Sequence, residues 1–240
     1  MNSVFEVFQA TTARRPDAPF LCVPARAQRD YCPEGAEFSY QWMRDQALAA
    51  AHAYTEAGYG HGHRIALLLE NRPEFFVQYL ALNSLGVAIV PVNPDYRHDE
   101  IAYQLSHADV VLAVGISNRV TDLERASENC PLRPPAIDVA RLGDEALPRA
   151  DQPPPRATAA IDRETECAML YTSGTTGRPK GCLLTNDYFI TAGEWYLTLG
   201  GEAALLGDTD RVLNPLPLYH MNALAVTATG LMCGGGCLIS

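Results

Sequence analysis

The sequence predicts an α/β protein built from layered, mostly parallel sheets flanked by helices. Three observations carry that prediction. Near-continuous apolar runs, such as Arg64-Ile65-Ala66-Leu67-Leu68-Leu69, Val87-Ala88-Ile89-Val90 and Val110-Val111-Leu112-Ala113-Val114, read as strands buried on both faces. Segments of helical periodicity separate them, and regular strand–helix alternation is the pattern of a parallel sheet. With 240 residues, 48% of them hydrophobic, the chain can bury the core of one large or two small domains.

Taken in order, residues 4–14 form a short amphipathic helix with Val4, Phe5, Val7 and Phe8 on its buried side, stopped by Pro16-Asp17-Ala18-Pro19. Phe20-Leu21-Cys22-Val23 is a strand, and Phe38-Ser39-Tyr40 its hairpin partner after the turn-rich Cys32-Pro33-Glu34-Gly35. Residues 41–57 are a long helix ended by Gly58. After the strand at 64–69, Pro73 opens a helix carrying Phe75, Phe76, Tyr79 and Leu80. Helices at 99–107 and 118–129 and a strand at 136–139 continue the alternation. Residues 147–158 contain Pro148, Pro153, Pro154 and Pro155 and read as an extended linker. Cys167 to Tyr171 and Cys182 to Leu184 are apolar strands around a tight loop, and a helix over 187–199 comes next with Asn186 or Asp187 as its N-cap. Strand character resumes at Arg211-Val212-Leu213. Residues 218–232 read as helix, and Cys237-Leu238-Ile239 as a strand at a sheet edge, which favours a homo-oligomer.

The formal charge of −10 argues against a nucleic-acid partner and against a polybasic membrane anchor. No apolar run reaches the ~20 residues a membrane span needs. The first residues carry no basic, then apolar, export signal. Seven irregularly spaced cysteines read as reduced thiols among apolar neighbours, so a cytoplasmic location is expected. Cys233 and Cys237 flank a glycine turn and are not a metal pair. His61-Gly62-His63 reads as a solvated turn; His52, His98 and His107 lie on predicted helices and receive no role.

The densest chemistry lies in Tyr171-Thr172-Ser173-Gly174-Thr175-Thr176-Gly177-Arg178-Pro179-Lys180-Gly181. Glycines let backbone N–H groups turn toward one point, and such a nest binds anions. The hydroxyls of Thr172, Ser173, Thr175 and Thr176 add donors, and Lys180 adds a compact positive charge. These are the parts needed to hold a polyphosphate. The loop is not a Walker A motif, because Pro179 precedes the lysine, Gly181 comes after it, and a strand rather than a helix is next.

This string closely resembles the phosphate loop of the AMP-forming acyl-CoA synthetase, or adenylate-forming, superfamily, which also contains peptide-synthetase adenylation domains and luciferases. Residues 86–95, Gly-Val-Ala-Ile-Val-Pro-Val-Asn-Pro-Asp, are a second point of resemblance, read as architecture. Asn214-Pro215-Leu216-Pro217-Leu218-Tyr219-His220-Met221-Asn222 matches the next superfamily motif in order and distance. Its prolines fix a stiff entry to Tyr219 and His220. The resemblance puts His220 beside an acyl carboxylate and the α-phosphate, as a catalytic residue with Lys180. It assigns Thr172, Ser173, Gly174, Thr175, Thr176, Gly177 and Lys180 to the β- and γ-phosphates.

The resemblance implies an ATP-dependent, AMP-forming carboxylic acid–CoA ligase. ATP, Mg²⁺ and coenzyme A are its cofactor and cosubstrates, and no residue of this chain is assigned to the metal. A buried ammonium needs a carboxylate partner, and the Tyr219 motif offers none. Apolar Met221, Ala223, Leu224, Ala225 and Val226 therefore favour an acid with an uncharged tail over an amino acid. The segment from Phe38 onward looks most like medium-chain acyl-CoA and crotonobetaine/carnitine-CoA ligases. Residues 1–240 correspond to the incomplete N-terminal part of the family's large domain. They divide into a subdomain of about 64–205 and a second, incomplete one of 1–63 plus 206–240, with 147–158 as linker. The family's adenine, ribose, hinge and C-terminal lysine segments are not among these residues, so the chain by itself is expected to be inactive. A second reading, a non-catalytic relative serving as a nucleotide-binding or oligomerising module, uses the same residues.

Overall fold

The computed structural model describes residues 1–143, 145–150, 157–172, 179–201, 204–205 and 207–240. In chain order the elements are α1 (Val4–Arg14), β1 (Pro19–Val23), β2 (Ala36–Ser39), α2 (Tyr40–Glu56), β3 (Arg64–Leu68), α3 (Pro73–Ser84), β4 (Ala88–Pro91), α4 (His98–His107), β5 (Leu112–Gly115), α5 (Val120–Ser127), β6 (Ala136–Asp138), β7 (Glu166–Thr172), β8 (Lys180–Thr185), α6 (Asn186–Thr198), β9 (Arg211–Leu213), α7 (Thr229–Gly234) and β10 (Cys237–Ile239). The strands form two sheets, of order β6-β5-β3-β4-β7-β8 and β2-β1-β10-β9. In the larger sheet every pair is parallel except the last, where β8 returns antiparallel to β7. This is the α/β arrangement that apolar strands alternating with helices dictate.

Local chemistry sets the element ends. Ser3 caps α1, its hydroxyl accepting the Glu6 N–H at 3.1 Å. Pro73 opens α3, where a missing N–H costs nothing. The cap of α6 is Thr185, whose hydroxyl accepts the Tyr188 N–H, and not Asn186 or Asp187. Asn186 is fully buried for another purpose. Its Oδ1 accepts from Asn83 Nδ2 at 2.8 Å, and its Nδ2 donates to the Asp162 carbonyl at 3.0 Å. Asn83 Oδ1 in turn accepts the Phe5 N–H at 2.8 Å, so two amides tie α1, α3 and α6 together. Gly193 lets α6 and α7 approach closely, since a Cβ there would lie 2.9 Å from the Thr229 backbone.

The core runs between the sheets. Phe20 meets Phe8, Tyr40 and Phe76 with ring centroids 5.0, 5.2 and 5.3 Å away, and all four rings are buried. Edge-on aromatic contacts of this kind add about 0.5–1.5 kcal/mol each beyond their buried area.

Several expectations are corrected. Residues 218–232 are not one α-helix: a turn leads into π-helical winding over Asn222–Ala228 before α7. There Thr229 Oγ1 donates to the carbonyl of Leu224, five residues back, at 3.0 Å. β10 is not a sheet edge; it pairs with β1 on one side and β9 on the other. An open strand at 237–239 is therefore not available to drive self-association. His63 is buried rather than solvated, and its Nδ1 accepts the Gly60 N–H. Cys182 is exposed, unlike the buried Cys130, Cys167 and Cys237. The linker is tied down at both of its described ends, where Ala150 N–H donates to Ala57 O and Ala157 N–H to His61 O.

Candidate functional site

Because β4 and β7 run parallel, Thr172 stands at the same carboxyl end of the larger sheet as Pro91. Ligands of open α/β sheets bind beyond that end. β8 enters there with Lys180, which pairs directly opposite Thr172. Both residues are exposed. They bracket residues 173–178, so Ser173, Gly174, Thr175, Thr176 and Gly177 lie outside the described residues. Gly181 has a packing reason. A Cβ there would sit 2.1 Å from Met169 Cε and 3.2 Å from Tyr171 Cζ, both of which lean across β8.

Helix α4 holds the flanks of this loop. Tyr103 Oη donates to the Pro179 carbonyl at 3.0 Å. One turn later, His107 Nδ1 lies 2.8 Å from Tyr171 Oη. The three rings form a cluster, with centroids 5.3 Å apart for Tyr103 and His107 and 5.7 Å for His107 and Tyr171. Burial pushes the Tyr171 hydroxyl above its usual pKa, so it stays neutral.

The His220 motif reaches the same sheet end from the other side of the chain. Asn71, just past β3, clamps it: Asn71 Nδ2 donates to Leu216 O at 3.0 Å, and its Oδ1 accepts the Leu218 N–H at 2.9 Å. Asn214 Nδ2 donates to the same Leu216 carbonyl at 3.1 Å. His220 closes a turn, its N–H donating to Pro217 O at 3.0 Å, and its carbonyl accepts the Leu224 N–H at 3.2 Å. Its imidazole is exposed beside the Tyr219 ring, centroids 4.6 Å apart. Tyr219 also feels the carboxylate of Asp95, beyond β4, and both desolvation and that charge raise its pKa. The loops after β3 and β4, the facing ends of β7 and β8, and the segment after β9 thus bring Asn71, Asp95, Thr172, Lys180, Tyr219 and His220 to one end of the larger sheet.

The apolar neighbours of His220 divide. Ala223, Leu224 and Ala225 are fully buried in the core, so they do not line an open site; Met221 is 41% exposed. A separate cavity of about 500 Å³, lined in part by Phe38, Trp42, Val77 and Leu142, includes none of the candidate residues. Among the described residues no group of three or more His, Cys, Asp or Glu side chains gathers to hold a metal. No described helix is long and apolar enough to cross a membrane. Sequence reasoning missed Asn71, Tyr103 and His107. The four-residue spacing of Tyr103 and His107 on one helix face was the available signal.

The residue types suit a polyphosphate: Thr172, which carries a hydroxyl, and Lys180, which carries an ammonium, are cross-strand partners where the two strands meet the loop. A family model described as "AMP-binding enzyme" matches residues 8–240. The chain is 29% identical over 247 residues to a sulfoacetate–CoA ligase of Cupriavidus necator, covering 98% of this chain and 45% of the relative. It is 34% identical over 191 residues to a 2-succinylbenzoate–CoA ligase of Bacillus licheniformis, covering 79% of this chain and 37% of the relative. It shares its fold with the crystallised N-terminal domain of FACL13 from Mycobacterium tuberculosis, at a TM-score of 0.78 and 23% identity over 100% of this chain and 57% of that one. The chain therefore spans less than half the length of these two curated relatives.

Proposed function

The chain belongs to the AMP-binding enzyme family, and from that premise we propose that it supplies the phosphate loop and acyl-side histidine of an ATP-dependent carboxylic acid–CoA ligase. The observation that carries this reading is the pairing of Lys180 with Thr172 at the sheet end that also holds His220.

In the proposed reaction a carboxylate oxygen attacks the α-phosphorus of ATP. The new O–P bond forms as the bond to the β-phosphate bridge breaks, and pyrophosphate leaves. The thiol of coenzyme A then attacks the acyl carbon; a C–S bond replaces the C–O bond, AMP departs, and the thiol proton is released. The first step needs no base, because the nucleophile is already ionised. It needs charge on the phosphates to be offset. Lys180 and Thr172, with the hydroxyls and glycines of residues 173–177, are proposed to hold the β- and γ-phosphates. Coulombic attraction between Lys180 and a phosphate is strongest where water is excluded. His220, on a turn fixed by Pro217 and Asn71, is proposed to face the acyl carboxylate and α-phosphate. Mg²⁺ would arrive with the triphosphate and spread its charge; no residue of this chain is assigned to it.

The acid is proposed to carry an uncharged tail. Residues 214–226 contain no Asp or Glu to pair with an ammonium, and the nearby Asp95 carboxylate acts on Tyr219 from the loop beyond β4. Exposed Met221 beside His220 offers an adaptable apolar contact. Within that class, medium-chain fatty acids are the first to try; crotonobetaine, whose tail carries a quaternary ammonium, is the charged acid to compare them with. Acid-dependent ATP–pyrophosphate exchange by the complete gene product tests the reading. Exchange with at least one carboxylic acid supports it; ATP binding with no exchange across straight-chain, branched and aromatic acids contradicts it.

A further inference from the structure

Helix α4 touches the candidate loop without belonging to it. Its residues Tyr103 and His107 stand one turn apart on one face. Tyr103 reaches the residue that enters β8, donating to the Pro179 carbonyl at 3.0 Å. His107 reaches the half-buried Tyr171 of β7, 2.8 Å from its hydroxyl. Pro179 is the neighbour of Lys180, and Tyr171 the neighbour of Thr172. One helix face therefore grips both flanks of the loop, each one peptide away from a proposed phosphate ligand. Simple packing does not account for this. Phenylalanine would fill the same space as Tyr103, whereas the hydroxyl is spent on a backbone carbonyl outside the β7–β8 ladder. The ring of Tyr171 also lies across Gly181, so the hairpin is shaped to receive this cluster.

We propose that Tyr103 and His107 are positioning residues that act through Pro179 and Tyr171 to set the separation and aim of Lys180 and Thr172 toward a triphosphate. The inference rests on the reading of Thr172 and Lys180 as ligands of a nucleotide's phosphates. It does not depend on which acid is activated. The physical reason is preorganisation. A lysine side chain on an exposed strand end samples many rotamers, and each backbone degree of freedom removed beneath it lowers the ordering cost of binding. The two tethers act on backbone and strand, not on the ligand, so they tune how well Lys180 works without replacing it.

A double-mutant cycle tests this. Mg-ATP affinity is measured by titration calorimetry on the complete gene product in four forms: wild type, Tyr103→Phe, Lys180→Ala, and the double variant. The loss of one hydrogen bond is expected to weaken ATP binding about 3- to 10-fold when Lys180 is present. In the Lys180→Ala background the same substitution is expected to change affinity by under about 2-fold, because the residue it serves has gone. His107→Leu is expected to show the same pattern in a cycle with Thr172→Ala, the residue its tether through Tyr171 serves. Equal weakening in both backgrounds, or wild-type affinity in Tyr103→Phe, overturns the inference. So does failure of the wild type to bind Mg-ATP, which removes the phosphate site itself. Coupled losses in ATP binding, with no exchange on any carboxylic acid, sustain the positioning role and overturn the ligase reading alone. Thermal unfolding of each variant excludes a general loss of structure as the cause.

Discussion

The amide of Asn71 bridges the two peptides that flank Pro217 in the His220 motif: its Oδ1 accepts the Leu218 N–H at 2.9 Å while its Nδ2 donates to Leu216 O at 3.0 Å. Asn71 lies just past β3, and Leu218 lies 147 residues later, so this contact joins the larger sheet to the second motif. Asn71→Leu keeps the volume and removes both bonds. The expected result is a rise in the KM for the carboxylic acid of about 5-fold or more, with the KM for ATP nearly unchanged. Steady-state pyrophosphate release reads both constants. A change confined to the ATP constant would count against the placement of His220 on the acyl side.

His220 is exposed and makes its internal bonds through its backbone, so its side chain contributes little to folding. His220→Ala is expected to leave the unfolding free energy within about 0.5 kcal/mol of wild type. Its adenylation rate is expected to fall by about 10-fold or more, the scale of one lost hydrogen bond to a charged group. Denaturant unfolding and ATP–pyrophosphate exchange measure the two. A marked loss of stability with intact exchange would make the residue structural.

Stability is more sensitive at Asn83. Its side chain is buried and serves Phe5, Cys167 and Asn186 together. Asn83→Leu strands the Phe5 N–H, at a cost of about 1–3 kcal/mol, and leaves the Asn186 amide oxygen with the Val4 N–H at 3.3 Å. Denaturant midpoints are expected to drop accordingly, with the transition still cooperative. A neutral substitution would mean that the three helices are held by packing alone.

The buried thiols give a pH signature. Burial pushes Cys167 and Cys233 up to about 12 and Cys237 up to about 11, against an ordinary thiol value of 9.0. Between pH 9 and those values the unfolded chain has lost thiol protons that the folded chain keeps. The unfolded state then binds fewer protons, so stability falls as pH rises through this window. Below pH 9 the contribution is complete. Chemical denaturation at pH 8, 9.5 and 11 is expected to show steadily lower midpoints. The exposed Cys182 is expected to react with a thiol reagent in the folded protein at pH 8, well before Cys167. A flat pH profile, or labelling of Cys167 first, would contradict this account.

Much of this architecture can be read from local chemistry. Ile65 to Leu68, Ala88 to Pro91 and Leu112 to Gly115 are apolar at every position because both faces of their sheet are covered. Pro73 suits the first turn of α3, and Gly58 takes a left-handed φ of 96° just past α2 that favours glycine. Other features needed contacts far apart in the chain. β10 reads as an edge in the sequence because its neighbours, β1 and β9, cannot be ordered from local pattern. The apolar run Ala223, Leu224, Ala225 suits helix of any pitch, so periodicity cannot separate π from α winding. Those three residues also suit a substrate pocket as well as a core, and only packing decides for core. The loop motif and His220 are legible because their residue types are chemically unusual together. Asn71, Tyr103 and His107 are not: the spacing of Tyr103 and His107 puts them on one helix face, but nothing local says what that face, or Asn71 on its loop, reaches.

The most direct test compares acid-dependent ATP–pyrophosphate exchange in wild type and Lys180→Ala forms of the complete gene product, at matched folding by circular dichroism. If Lys180 neutralises the departing pyrophosphate, exchange falls by about 10²-fold or more. Exchange at the wild-type rate in Lys180→Ala would show that the β7–β8 hairpin does not hold the nucleotide's phosphates.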